Sequence, residues 1–150
     1  MDNEFFNDWF NAFDAGLEKM DIKECSRLFE DCAKRCSLDA LKYLYRDLFE
    51  ECERNLDKFF ERVGEKKNVK GRVIEPGKVY ELIFTKCDCP LHTQANIRSN
   101  RLCECSRQSM ICVFKELVPA RKFTIECKGS ILSGNDICCH RIVFDKKGDQ

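Results

Sequence analysis

Residues 123–131, Phe123-Thr-Ile-Glu-Cys-Lys-Gly-Ser-Ile131, place apolar or small residues at the odd positions and mostly polar ones at the even positions. A period of two marks a strand with one buried face. Ser133-Gly134-Asn135-Asp136 follows, and Gly and Asn accept the positive φ of a hairpin turn. Pairing Ser133 with Asp136 predicts that Ile131 faces Cys138, Gly129 faces His140 and Cys127 faces Ile142. One sheet face would then carry Phe123, Ile125, Cys127, Gly129, Ile131, Cys138, His140, Ile142 and Phe144.

Upstream the period changes. A second hairpin is expected over 70–75 and 78–86, around Pro76-Gly77, a pair favoured in turns. Between the hairpins lies a loop, Cys87 to Asn100, and a helix starting at about 101 or 106 and ending at 117. Residues 65–72 read as a basic, solvated turn. The first 63 residues read as helix. Phe5, Phe6, Trp9, Phe10 and Phe13 form one broad stripe over 2–15, expected to be core or a dimer contact. A second helix over about 22–36 places Cys25, Phe29, Cys32 and Cys36 on one face. A third, over about 38–63, steps by three or four from Leu41 to Val63, with Ser37 as N-cap and Gly64 as stop. The predicted fold is α+β: one domain over 1–150, with a helical part over 1–63 packed on an antiparallel sheet of two hairpins and an intervening helix over 70–145.

Composition narrows the function classes. Lys plus Arg and Asp plus Glu both total 26, so the net charge is zero. Nothing here attracts nucleic acid or an anionic membrane surface, and neither is expected as a partner. No apolar run is long enough to span a bilayer. The N-terminal stretch MDNEFFNDWFNAF is acidic and lacks the basic and apolar regions of a signal peptide. A cytoplasmic location is expected, so the 12 cysteines are read as thiols that bind metal, react or fill the core.

Those thiols are uneven. Four lie in the first 86 residues and eight between 87 and 139. Cys87-Asp-Cys89 and Cys103-Glu-Cys105 are separated by 13 residues. In extended backbone a Cys-x-Cys pair points both sulfurs one way, so the two pairs match the four ligands of a tetrahedral zinc. Cys32 and Cys36, on a helix, together with Cys138, His92 and His140, are reserve ligands. Cys25 and Cys52 are read as core. An iron–sulfur cluster is the lesser alternative for four cysteines. In a second reading, Cys103 or Cys105, near a helix start beside Arg107, is a nucleophile, with His92 or His140 as base. Cys127, Cys138 and His140 also share a sheet face as a ligand-facing or metal-facing patch. No Gly-rich phosphate loop, Ser nucleophile elbow or His-Glu-x-x-His motif occurs.

The closing Gly134-Asn135-Asp136-Ile137-Cys138-x-His140-x-Ile142, after Cys87-Asp-Cys89 and Cys103-Glu-Cys105-Ser106, resembles the cysteine-rich bacterial proteins related to the 4-vinyl reductase-type ligand-binding domains. That group in turn resembles the fold of NO-signalling and Golgi-transport ligand-binding domains. Its usual ending is Gly-Asp-x-x-Cys-x-Phe-x-Ile; Gly134, Cys138 and Ile142 match, while Asn135 and His140 depart from Asp and Phe. Cys32-Ala-Lys-Arg-Cys36 followed by the two Cys-x-Cys pairs also resembles proteins similar to L-2-amino-thiazoline-4-carboxylic acid hydrolase, a ring-opening enzyme. The resemblance covers about residues 25–145 and implies an α+β pocket domain holding a small molecule or metal; it carries over no catalytic residue set. The expected function is small-molecule or zinc binding, with a homodimer as the protein partner. A cysteine-dependent hydrolase of a small thiazoline-like or cyclic amide substrate and a thiol redox switch are the alternatives.

Overall fold

The computed structural model describes residues 3–145. The first helix, α1 (Asn3–Glu18), runs further than expected at its C-terminal end, and residue 2 lies outside the described residues. The second, α2 (Ile22–Ala40), starts at Asp21, whose Oδ1 accepts from the Glu24 N–H at 2.8 Å. That bond satisfies a backbone donor that has no partner inside the helix.

The single helix expected over 38–63 is in fact three pieces. Ser37 caps nothing; it is buried within α2, and its hydroxyl donates to the Lys34 carbonyl at 2.8 Å. A wider π turn, Leu41–Tyr45, leads into α3 (Arg46–Glu51). The chain breaks at Glu53 and Arg54, both at φ 56°, and restarts as α4 (Leu56–Arg62). Asn55 Oδ1 caps α4 by accepting from the Lys58 N–H at 3.0 Å. Apolar steps of three or four report which face is buried, and all three pieces bury it in the same core, so the stripe crosses the break unchanged.

Strands β1 (Val69–Glu75) and β2 (Val79–Phe84) form the expected hairpin, with Gly77 at φ 77° in its turn. The Cys87–Asn100 segment, expected as loop, includes a one-turn helix, α5 (Pro90–Thr93). The helix α6 (Leu102–Leu117) precedes β3 (Phe123–Gly129) and β4 (Cys138–Phe144). The sheet is antiparallel in the order β1-β2-β4-β3. The α+β architecture is therefore as the two periods predict, with the hairpins joined edge to edge.

The β3–β4 register differs from expectation by two residues. Cys127 faces His140 and Ile125 faces Ile142, with a bulge between Cys127 and Gly129. Ile131–Ser133 form a 3-10 turn outside the strand, where Ser130 Oγ accepts from the Ser133 N–H at 3.2 Å. The connection is thus longer than a tight turn. A two-residue slip preserves the side-chain faces, so His140, Ile142 and Phe144 still point into the core.

The main core lies between the sheet and helices α3, α4 and α6. Phe60 stacks between Tyr80 (4.5 Å between centroids) and Phe114 (5.8 Å). The Tyr80 hydroxyl donates to Asp57 Oδ1 at 2.5 Å, and the Gly77 N–H donates to the same oxygen at 2.9 Å, tying the β1–β2 turn to α4. A second cluster joins α1, α2 and α6 through Leu17, Cys25, Phe29, Ala33, Leu102 and Cys105. Phe10 and Phe13 pack against it, whereas Phe6 and Trp9 stand exposed, so the aromatic stripe is only partly core.

Candidate functional site

Between α6 and the upper ends of β1, β2 and β4 lies a cavity of about 380 Å³. Its walls are mainly apolar: Tyr45, Val69, Phe84, Leu102, Met110 and Val113. Six thiols join them, those of Cys36, Cys87, Cys89, Cys103, Cys105 and Cys138. His140 completes the sheet side, and the exposed Lys67, Lys86 and Asp88 border the cavity. A volume of this size falls in the roughly 300–1,000 Å³ range of small-molecule sites.

Helix α6 explains the arrangement of the thiols. The helix starts at Leu102, so Cys103 and Cys105 sit inside its first turns, and just ahead of it Ser99 Oγ accepts from the Arg101 N–H at 3.1 Å. Two residues along a helix differ by about 200° in direction. Leu102, Ser106, Ser109 and Val113, at helical steps of three and four, form one cavity-lining stripe, and Cys103 and Cys105, turned about 100° and 60° from Leu102 in opposite senses, flank it. Cys105 lies with Cys36, Cys89 and Cys32, whereas Cys103 lies with Cys138, Cys127 and Cys87. Each Cys-x-Cys pair is thereby divided between two thiol neighbourhoods. The expectation that both sulfurs of a pair point one way assumed extended backbone; the helix at 103–105 removes that condition.

Burial governs the chemistry of these groups. It pushes the Cys105 thiol up to about 12, with the nearby thiols of Cys36, Cys89 and Cys32 adding to it. It pushes Cys103 up to about 11, opposed by a hydrogen bond with Ser130. Cys36, Cys87 and Cys127 are also raised, by burial first. These are neutral thiols at pH 7, and a neutral thiol packs as a small apolar group. Cys25 and Cys52 are buried core, as expected. Among the described residues, no group of three or more His, Cys, Asp or Glu side chains is placed to hold a metal ion.

The two histidines differ. His92, on α5, sits outside the cavity wall with Nδ1 2.7 Å from the Ile97 carbonyl oxygen, which accepts from it. His140 lies mid-strand between Leu82 and Cys127, 2 % exposed, with the Phe84 ring edge-on at 6.1 Å. Burial pushes it down to about 4, the Arg107 guanidinium adds to that, and Glu104 opposes it. Arg107 is itself held by Glu104, at 2.8 and 3.0 Å, and donates to the Ile125 carbonyl at 3.2 Å. The cavity-lining roles of Tyr45, Met110 and Val113 carry no sequence signal, because a residue lining a cavity and one filling a core have the same period.

All 12 cysteines are free thiols. No helix among the described residues is long and apolar enough to cross a membrane. No protein-family model matches the chain, and no curated protein matches it. Among solved structures, the chain is similar to a trafficking protein particle complex subunit 3 from Naegleria fowleri, described as covalently bound to palmitic acid; identity is 15%, the TM-score is 0.48, and the match covers 95% of each chain.

Proposed function

We propose that the chain is a small-molecule-binding domain whose ligand occupies the cavity beside α6. The observation that supports it is a cavity of about 380 Å³ walled by apolar side chains and neutral thiols. Such a wall rewards transfer of apolar ligand surface out of water. A reducing, cytoplasmic compartment belongs to this reading and is supported by the 12 free thiols. The test is titration with N-phenyl-1-naphthylamine, a neutral fluorophore that brightens in apolar sites. Saturable binding at one site per chain is expected. It should be lost in Ser109→Phe, which fills the cavity from a position on α6 that is not itself part of the main core. Absence of saturation, or binding indifferent to the filling variant, overturns the proposal.

Zinc binding is the second reading, favoured by the gathering of thiols around Cys105 and around Cys103. It requires those side chains to turn toward one another. Metal analysis of protein purified anaerobically under reducing conditions tests it. Near-stoichiometric zinc whose chelation unfolds the domain is the expected result, and metal-free, chelator-indifferent protein overturns it. The hydrolase alternative needs a thiolate at Cys103 or Cys105, and burial opposes that form at both. A homodimer, if formed, has an apolar face available on α1 at Phe6 and Trp9; gel filtration of Trp9→Lys against the parent chain tests it.

A further inference from the structure

The wall of the cavity contains one buried polar atom that no described residue satisfies. His140 lines the cavity, is 2 % exposed, and its Nδ1 is buried with no hydrogen-bond partner among the described residues. The neighbouring groups are committed elsewhere. Cys138 Sγ accepts from the Ile131 N–H at 3.3 Å, and the Cys127 thiol donates to the Gly129 carbonyl at 3.5 Å. The cross-strand neighbour on β2 is Leu82, and the ring beside it is Phe84, neither of which can pair with a nitrogen. Native proteins rarely leave a buried polar atom unpaired without a use for it.

We propose that the ligand of this cavity is a mostly apolar molecule bearing one hydroxyl, and that His140 is the residue that receives the hydroxyl. This rests on the small-molecule reading above and names the ligand class for it. Three features select the group. The imidazole is neutral, because burial opposes its charged form and the only cation beside it, Arg107, is held by Glu104. Lys67 and Lys86 border the cavity, but a carboxylate seated against His140 itself would meet no free cation there, at high desolvation cost. A neutral imidazole offers one acceptor and one donor, and a hydroxyl serves either, so the pairing holds for both tautomers. The ring torsion is two-fold and broad, so rotation about Cβ–Cγ can bring a nitrogen toward the bound group. The rest of the lining is mostly apolar side chains and thiols, with Ser106 and Ser109 on α6 and Asn68, Lys67, Lys86 and Asp88 also bordering it.

The test compares 1-heptanol with n-octane, in which a methyl replaces the hydroxyl, as competitors of N-phenyl-1-naphthylamine on the full chain and on His140→Phe. The ratio of octane Kd to heptanol Kd should fall at least tenfold in the variant, because a site that pairs a hydroxyl discriminates against its methyl isostere. A ratio unchanged within twofold overturns the inference. So does heptanoate binding more tightly than heptanol to the parent chain. Loss of heptanol and octane binding together in the parent chain is instead failure of the small-molecule reading, which takes this inference with it. The nitrogen-15 shifts of the His140 imidazole give a readout that needs no variant: heptanol should move them and octane should not, and equal movement by both overturns the assignment.

Discussion

Cys103 and Cys105 are separated by one residue yet flank opposite edges of the cavity-facing stripe of α6, one toward Cys138 and Cys127, the other toward Cys36 and Cys89. The same helix that divides them also buries them, and burial sets their reactivity. At pH 7.5 iodoacetamide should label the exposed Cys32 first and Cys105 last, with a rate gap of about a hundredfold or more, since only thiolate reacts. Peptide mapping by mass spectrometry checks the order. Preferential labelling of Cys105 would contradict the neutral-thiol account.

His140 should make the protein sensitive to acid. Its folded value of about 4 lies below the ordinary histidine value of 6.5, so the unfolded chain binds a proton that the folded one refuses. Stability from this group is present above pH 6.5 and falls as the pH drops toward 4, by on the order of 3 kcal/mol in total. His140→Phe removes the titrating group and the unpaired nitrogen together. Its denaturant midpoint should exceed that of the parent chain, by more at pH 5 than at pH 7.5. A gap that does not widen on acidification would show that His140 is charged in the fold.

Glu81 tests the polar side of the sheet. It is 5 % exposed in β2 and accepts from Arg141 Nε and Nη2 at 3.2 and 2.9 Å, while the exposed Arg72 stands 3.5 Å away. Arg141→Met leaves the buried carboxylate with its weaker partner and should cost about 1–3 kcal/mol. Arg72→Met should cost about 0–1 kcal/mol, as exposed pairs do. Urea denaturation of the two variants checks the ranking; equal losses would mean that the short Arg141 contacts add nothing over the long one.

Gly71 lets α4 lie against β1. A Cβ there would run into the Phe60 carbonyl oxygen and come within 2.6 Å of Val63 Cγ1. The obstacle is helix backbone, which cannot swing aside as a side-chain end can. Gly71→Ala should destabilise the fold by about 1–3 kcal/mol or more. Gly16→Ala, where nothing lies within 4 Å, should leave the fold at least as stable and serves as the control. Thermal melts of the pair decide it.

Element types and buried faces follow from local side-chain order alone. The alternation over 123–131 and the three-and-four steps of the first 63 residues are written in side-chain order, and a face survives even where a helix breaks or a strand slips by two residues. Of the residues singled out by type and spacing, Cys36, Cys87, Cys89, Cys103, Cys105, Cys138 and His140 border the cavity, while Cys32 and His92 do not. Tertiary structure alone decided how those groups meet. The gathering of thiols from α2, the Cys87–Cys89 segment, α6 and β4 on one cavity, and the unpaired Nδ1 of His140 among β2, β3 and α6 neighbours, depend on contacts between segments far apart in the chain. Periodicity records which way a side chain points; only packing between distant elements sets what it meets there, and whether the space beside it is filled or left as a cavity.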